Sequence, residues 1–269
     1  MQLGLTSRVA LITGGSRGIG KGIAEQLANE GADLVLVARN SDALADIAGN
    51  IASRHDVRVR TIVADLSDPE TPVRLAREAG PIDILVNNAN TPSGGSLEGL
   101  SEAEWQRNWS VKPYGYIRML RAFVPMMRER GSGVIINMIG QINQVATNKA
   151  LFSAASCSSL TTITQALAHE LAQCGVRIVG VGAWVVNTES VVQGYREKAV
   201  SKLGDASRWR ELLTHLPFGR AAEPAEIGDL VAFLASDRAR YISGQIINVD
   251  GGYIASSVPT LAAGALAHE

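Results

Sequence analysis

Seven short runs rich in β-branched residues alternate with longer stretches of helical period along this 269-residue chain, and that alternation constrains its fold more than any other feature. The runs fall at 9–13, 33–38, 57–64, 82–86, 134–138, 177–182 and 245–249. Near-continuous apolar strands separated by helices belong to a parallel sheet covered on both faces. The expected fold is therefore α/β, a doubly wound parallel sheet in a single domain over residues 1–255, with a peripheral tail at 256–269. A hydrophobic fraction of 46% is enough to fill such a core. The stretch 189–216 reads as irregular, which predicts a mobile lid over a site.

Charge and composition narrow the function classes. A formal net charge of −1 offers no basic surface for nucleic acid, and no apolar run reaches membrane-spanning length. Cys157 and Cys174 lack the spacing of a redox or zinc pair and are expected to be reduced packing residues. Met1 to Thr6 run almost directly into the first strand, leaving no room for a secretory leader, so the expected location is cytoplasmic. A small-molecule ligand is the expected partner.

The segment Thr13-Gly14-Gly15-Ser16-Arg17-Gly18-Ile19-Gly20 joins the first strand to a helix. Glycines there let backbone amides approach a phosphate, and a helix N-terminus supplies free N–H groups, so Gly14, Ser16, Arg17, Gly18, Ile19 and Gly20 are candidate dinucleotide contacts. The second strand ends in Arg39 where NAD binders place a carboxylate for the ribose hydroxyls. Arg39 and Arg17 together suit a 2′-phosphate, which predicts NADP in preference to NAD. Asp65 and Leu66 after the third strand are assigned to the adenine, and Asn88 and Ala89 after the fourth to the strand ends beneath the cofactor.

These pieces, together with Pro217-Phe218-Gly219-Arg220, Glu223-Pro224 and Val249-Asp250-Gly251-Gly252, resemble the short-chain dehydrogenase/reductase family over nearly the whole chain. The resemblance implies a Rossmann-like sheet of about seven strands, a dinucleotide pocket, and a homodimer or homotetramer packed through two long helices. It also implies a serine, tyrosine, lysine and asparagine as the catalytic set. Here Gly140, or Ile139 with a one-residue shift, stands at the serine, Phe152 at the tyrosine, Ser156 at the lysine and Lys112 at the asparagine. Trp184 replaces the glycine of the turn beside the nicotinamide, while Val186 and Thr188 still match the positions that hold its carboxamide.

A phenyl ring exchanges no proton, so the family's acid catalysis is lost at Phe152. Five changes around one centre, with the phosphate half intact, point to a rebuilt pocket. Gln141, Asn143, Gln144, Phe152, Trp184 and Trp209 are its candidate lining, and Lys112, His215 and Tyr195 the candidate proton carriers. An ammonium moved from position 156 to Lys112 is expected to reach the nicotinamide ribose or a developing oxyanion. His169, on an apolar helix, is expected to be structural. The favoured reading is an NADP(H)-binding oxidoreductase that does not use tyrosine–lysine chemistry. Two others stand beside it: a non-redox lyase, dehydratase or isomerase, and a non-catalytic NADP(H) binder acting as sensor or partner subunit.

Overall fold

The structure, a computed structural model, describes residues 3–91 and 95–256; most of the tail expected at 256–269 therefore lies outside the described residues. Seven parallel strands form one sheet in the order β3-β2-β1-β4-β5-β6-β7. They are β1 (Val9–Thr13), β2 (Asp33–Ala38), β3 (Val59–Val63), β4 (Ile84–Asn87), β5 (Gly133–Gly140), β6 (Val176–Ala183) and β7 (Ile246–Val249). The long helices are α1 (Gly18–Asn29), α2 (Ser41–Arg54), α3 (Thr71–Ala79), α4 (Glu102–Val111), α5 (Tyr114–Arg130), α6 (Leu151–Ala172), α7 (Glu189–Leu203) and α8 (Pro224–Ala235).

Successive strand residues face opposite sides, and both sides are packed. Ile12, Leu36, Ile136 and Val181 meet Ile23, Leu27 and Val231 on one face. Leu11, Val35, Leu85, Ile135 and Ile178 meet Phe123, Met127 and Leu171 on the other. This double coverage is why the strands read as unbroken apolar runs.

The strand order reverses between β1 and β4, so connections leave these neighbours in opposite directions and open a crevice at their C-terminal ends. A hydrogen-bonded brace holds the crevice floor. The fully buried Thr13 hydroxyl donates to Val86 O (3.3 Å) and accepts from the N–H groups of Asn88 (2.9 Å) and Ala89 (3.1 Å). The Asn88 amide donates back to Thr13 O (2.9 Å) and Gly14 O (3.2 Å). A parallel polar chain crosses the core behind it, Asn87 Nδ2 donating to Asn137 Oδ1 (3.0 Å) and Asn137 Nδ2 to Thr164 Oγ1 (2.9 Å).

Two elements differ from expectation. The stretch 189–216 is not irregular: Thr188 caps α7 by accepting from Val191 N (3.4 Å), and a 3-10 helix, Ala206–Leu213, packs against it. Ala199, Trp209, Leu213, Leu216 and Ala221 form a small core of their own there. Its helical period was masked because the buried stripe of α7 is narrow and Gly194 interrupts the segment. His169 is exposed in the last turn of α6, beside Gln173 at 3.2 Å, and holds no core position.

The brace makes a testable demand on the fold. Thr13→Val conserves shape but strands two N–H groups, and it is expected to lower the unfolding free energy by about 2 kcal/mol in a urea titration.

Candidate active site

The phosphate side of the crevice is built from backbone. Arg17, in extended conformation, precedes α1 and makes no side-chain cap, so the first-turn N–H groups of the helix point into the crevice without an internal acceptor. Gly18 has φ +55°, and a methyl on Gly20 would overlap the Gly14 carbonyl oxygen. Both positions therefore require glycine, and the loop lies close enough for its amides to reach a diphosphate. Ser16 and Ile19 flank it, half-buried.

Arg17 and Arg39 are both exposed at the mouth, and neither has a partner among the described residues. Their guanidinium groups are thus free for an anion. Asp65 accepts from Ser67 N (2.9 Å) through one carboxylate oxygen, while Leu66 is buried beneath. Across the crevice, Val186 is buried and pairs with Ala222, and Asn187 N donates to Ala222 O (2.7 Å). The Thr188 methyl lies 3.2 Å from where a Cβ on Gly18 would stand. The turn after β6 therefore approaches the glycine loop closely at Gly18.

Trp184 is packed against its neighbours. It stacks on Tyr253 (centroids 5.0 Å, 21° between planes) and joins the apolar cluster of α7 and the 3-10 helix. Trp184, Leu216, Phe218, Arg220, Asp250 and Gly251 line a small cleft there. Trp209 is buried in the same cluster, with the Arg210 guanidinium 4.6 Å above its ring.

On the other side, the positions that the resemblance assigns to catalysis carry groups already hydrogen-bonded or without an exchangeable proton. Gly140 ends β5, and a Cβ there would meet the Cys157 sulfur at 3.3 Å. Phe152 is 2% exposed and sits edge-on to Trp105 (5.3 Å, 79°) and tilted against Trp109 (6.5 Å). The buried Ser156 hydroxyl donates to Lys112 O (3.2 Å), so positions 112 and 156 do face each other. The Lys112 ammonium, however, is turned inward. It donates to Met138 O (3.0 Å) beside the Tyr116 ring, and Tyr116 OH donates to the same carbonyl (3.3 Å). Burial holds the Lys112 pKa below its ordinary value, opposed only by the nearby Cys157.

The candidate proton carriers are not brought together. Tyr195 and His215 share a separate cleft with Lys198 and Lys202, and burial, followed by the influence of Tyr253, raises the Tyr195 pKa. Gln141 is buried after Gly140, its amide donating to Gly182 O (2.7 Å) while its carbonyl oxygen has no partner. Asn143 Oδ1 is likewise buried and unpartnered, whereas Gln144 is exposed and reaches Asn248 (3.4 Å). Sequence reasoning missed Trp105 and Trp109 beside Phe152, Tyr114 beside Trp109, and Tyr253 beside Trp184. The i, i+4 spacing of the two tryptophans was the available signal.

Known proteins share this fold over nearly the whole chain. A family profile described as Enoyl-(Acyl carrier protein) reductase matches residues 14–254. Oxidoreductase UcpA of Salmonella typhimurium is 34% identical over 252 residues, which cover 92% of this chain and 95% of that protein. The crystal structure of L-sorbose reductase from Gluconobacter frateurii, complexed with NADPH and L-sorbose, superposes with TM-score 0.89 at 32% identity, covering 94% of this chain and 99% of that one. A structure described as a short chain dehydrogenase/reductase family protein superposes with TM-score 0.82 at 31% identity, covering 95% of this chain and 100% of that one.

Lys112 has a measurable thermodynamic consequence. The unfolded chain holds this proton up to the ordinary lysine value of 10.5, whereas the folded protein releases it at lower pH. The Lys112 contribution to stability is therefore least below the folded pKa and grows as pH rises through the interval between the two values. Lys112→Met retains the side-chain bulk and leaves Met138 O bonded to Tyr116. It is expected to raise the unfolding free energy by about 1–3 kcal/mol at neutral pH. Urea titrations carried into the alkaline range are expected to show this difference between variant and parent shrinking as pH rises.

Proposed function

On the premise that this chain belongs to the short-chain dehydrogenase/reductase family, we propose that it binds NADP(H) and transfers hydride without a tyrosine–lysine acid. The observation that carries this reading is the contrast across the crevice. The glycine loop, the uncapped α1 terminus and the free Arg17 and Arg39 remain suited to a 2′-phosphorylated dinucleotide, while Gly140, Phe152, Ser156 and Lys112 cannot form the family's relay.

In this reading, the bound cofactor supplies the hydride. The first-turn N–H groups of α1 bind the diphosphate, Arg17 and Arg39 the 2′-phosphate, and Asp65 the adenine amine through its remaining acceptor capacity. Val186 and Thr188 orient the carboxamide, with Thr188 held against Gly18. Trp184 is anchored on Tyr253, and α7 with its 3-10 partner forms the lid that excludes water. Phe152, Gln141 and Asn143 border the acceptor. No protein acid is supplied, so the acceptor is a small molecule already activated toward hydride.

The same reading extends to assembly and location. Homo-oligomerisation through α5 and α6 is supported by the small outward residues Ser158, Thr162 and Ala166 of α6, which permit close helix contact. The free thiols of Cys157 and Cys174 suit a reducing cytoplasm.

Cofactor preference tests the proposal. Intrinsic tryptophan fluorescence is expected to report tighter binding of NADPH than of NADH. Arg39→Ala and Arg17→Ala are each expected to weaken NADPH roughly tenfold to hundredfold while leaving NADH nearly unchanged. Equal affinity for both cofactors in the parent chain would falsify the arginine assignment, and affinity for neither would remove the oxidoreductase reading. Tight NADPH binding with no acceptor reduced would leave a non-catalytic binder.

A further inference from the structure

We propose that the acceptor carries its own positive charge, as an iminium, a carbon–nitrogen double bond bearing a cationic nitrogen, captured beside the aromatic cluster around Phe152. This rests on the NADPH-dependent hydride transfer proposed above and names the acceptor class for that site.

Acceptors differ in the charge that they develop on receiving hydride. A ketone that receives hydride becomes an alkoxide, and an enone becomes an enolate; both need donors or a proton at the moment of transfer. The four positions from which the family supplies them offer none. Gly140 has no side chain, Phe152 has no proton, Ser156 donates to Lys112 O and the Lys112 ammonium donates to Met138 O.

What stands there instead is electron-rich. Phe152, Trp105, Trp109 and Tyr114 form a continuous set of rings, with centroid separations of 5.3 Å for Trp105–Phe152, 6.0 Å for Trp105–Trp109 and 6.1 Å for Trp109–Tyr114. Phe152 is buried at one end, the two indoles are half-buried, and Tyr114 is exposed at the other end with the Arg118 guanidinium 5.8 Å from its ring. Ring faces attract cations and repel anions. In the segment that follows Gly140, Gln141 Oε1 and Asn143 Oδ1 are buried acceptors without donors among the described residues. Buried polar atoms are rarely left unpaired, and such oxygens suit the polarised C–H bonds of a cation better than an alkoxide. The buried Trp109 indole N–H also lacks a partner and offers the ligand one donor.

The chemistry balances without a proton. One C–H bond of the reduced nicotinamide breaks and its hydride forms a C–H bond at the iminium carbon. The C=N π pair becomes the nitrogen lone pair, so the iminium is reduced to a tertiary amine as NADPH is oxidised to NADP⁺. The aromatic side chains bind the cation; they do not exchange protons with it.

The test uses the full-length protein saturated with NADPH and three probes: a five-membered, a six-membered and a benzo-fused cyclic N-methyl iminium salt. Cyclopentanone, cyclohexanone and cyclohexenone are the neutral controls. At least one salt is expected to be reduced with a kcat/KM about hundredfold or more above the controls, since the protein lacks the acid that only the controls need. Its kcat is expected to be flat between about pH 6 and 8, because no proton enters the step. Trp109→Leu and Trp105→Leu are each expected to raise KM for that salt roughly threefold to thirtyfold with kcat unchanged, and Trp109→Phe to recover most of the loss.

If NADPH binds and all three salts are inert, the acceptor class is wrong while the cofactor reading stands. If NADPH does not bind, both fall. Reduction of a control ketone faster than any salt, or an unchanged KM in both leucine variants, also overturns the proposal.

Discussion

The site depends on the hydrogen-bonded brace that ties the end of β1 to the end of β4. Thr13 and Asn88 satisfy one another's backbone and side chains across the point where the strand order reverses, and this fixes the path of the glycine loop. Because the loop is held from below, its amides and the first turn of α1 can face the crevice without side-chain caps. Free N–H groups at a helix terminus are costly unless an anion or water meets them, so an uncapped terminus inside a crevice marks where negative charge is received.

The wall on the other side of the crevice has a different electrostatic character. The Lys112 ammonium bonds the same carbonyl as Tyr116. Phe152 has two indoles as neighbours, and the Ser156 hydroxyl bonds the Lys112 carbonyl. A wall of rings and orphaned carbonyl oxygens favours positive charge, whereas a wall of donors favours negative charge.

The lid segment shows how local ambiguity is settled by contact. Trp184, too large for a turn that approaches a ring, is accommodated by stacking on Tyr253 and joining Trp209, Leu213 and Leu216. The indole thus becomes part of a secondary core, and the turn that follows remains free to pair Val186 with Ala222. Tyr195 and His215, attractive as proton carriers from composition alone, are held in another cleft of this segment beside Lys198 and Lys202.

All seven strands, the doubly wound class and the glycine loop were legible in the sequence, because strand burial and phosphate binding impose local, periodic patterns on neighbouring residues. Orientation was not. Whether Lys112 faced the ribose or the core, which way Trp184 turned, and which rings surrounded Phe152 depended on residues 26 to 69 positions apart, such as Lys112 with Met138 and Trp184 with Tyr253. The chain by itself determined the sheet and the kind of groups at its crevice; only tertiary packing decided which of them point into it, because side-chain direction is set by competition for volume and hydrogen-bond partners that sequence spacing does not encode.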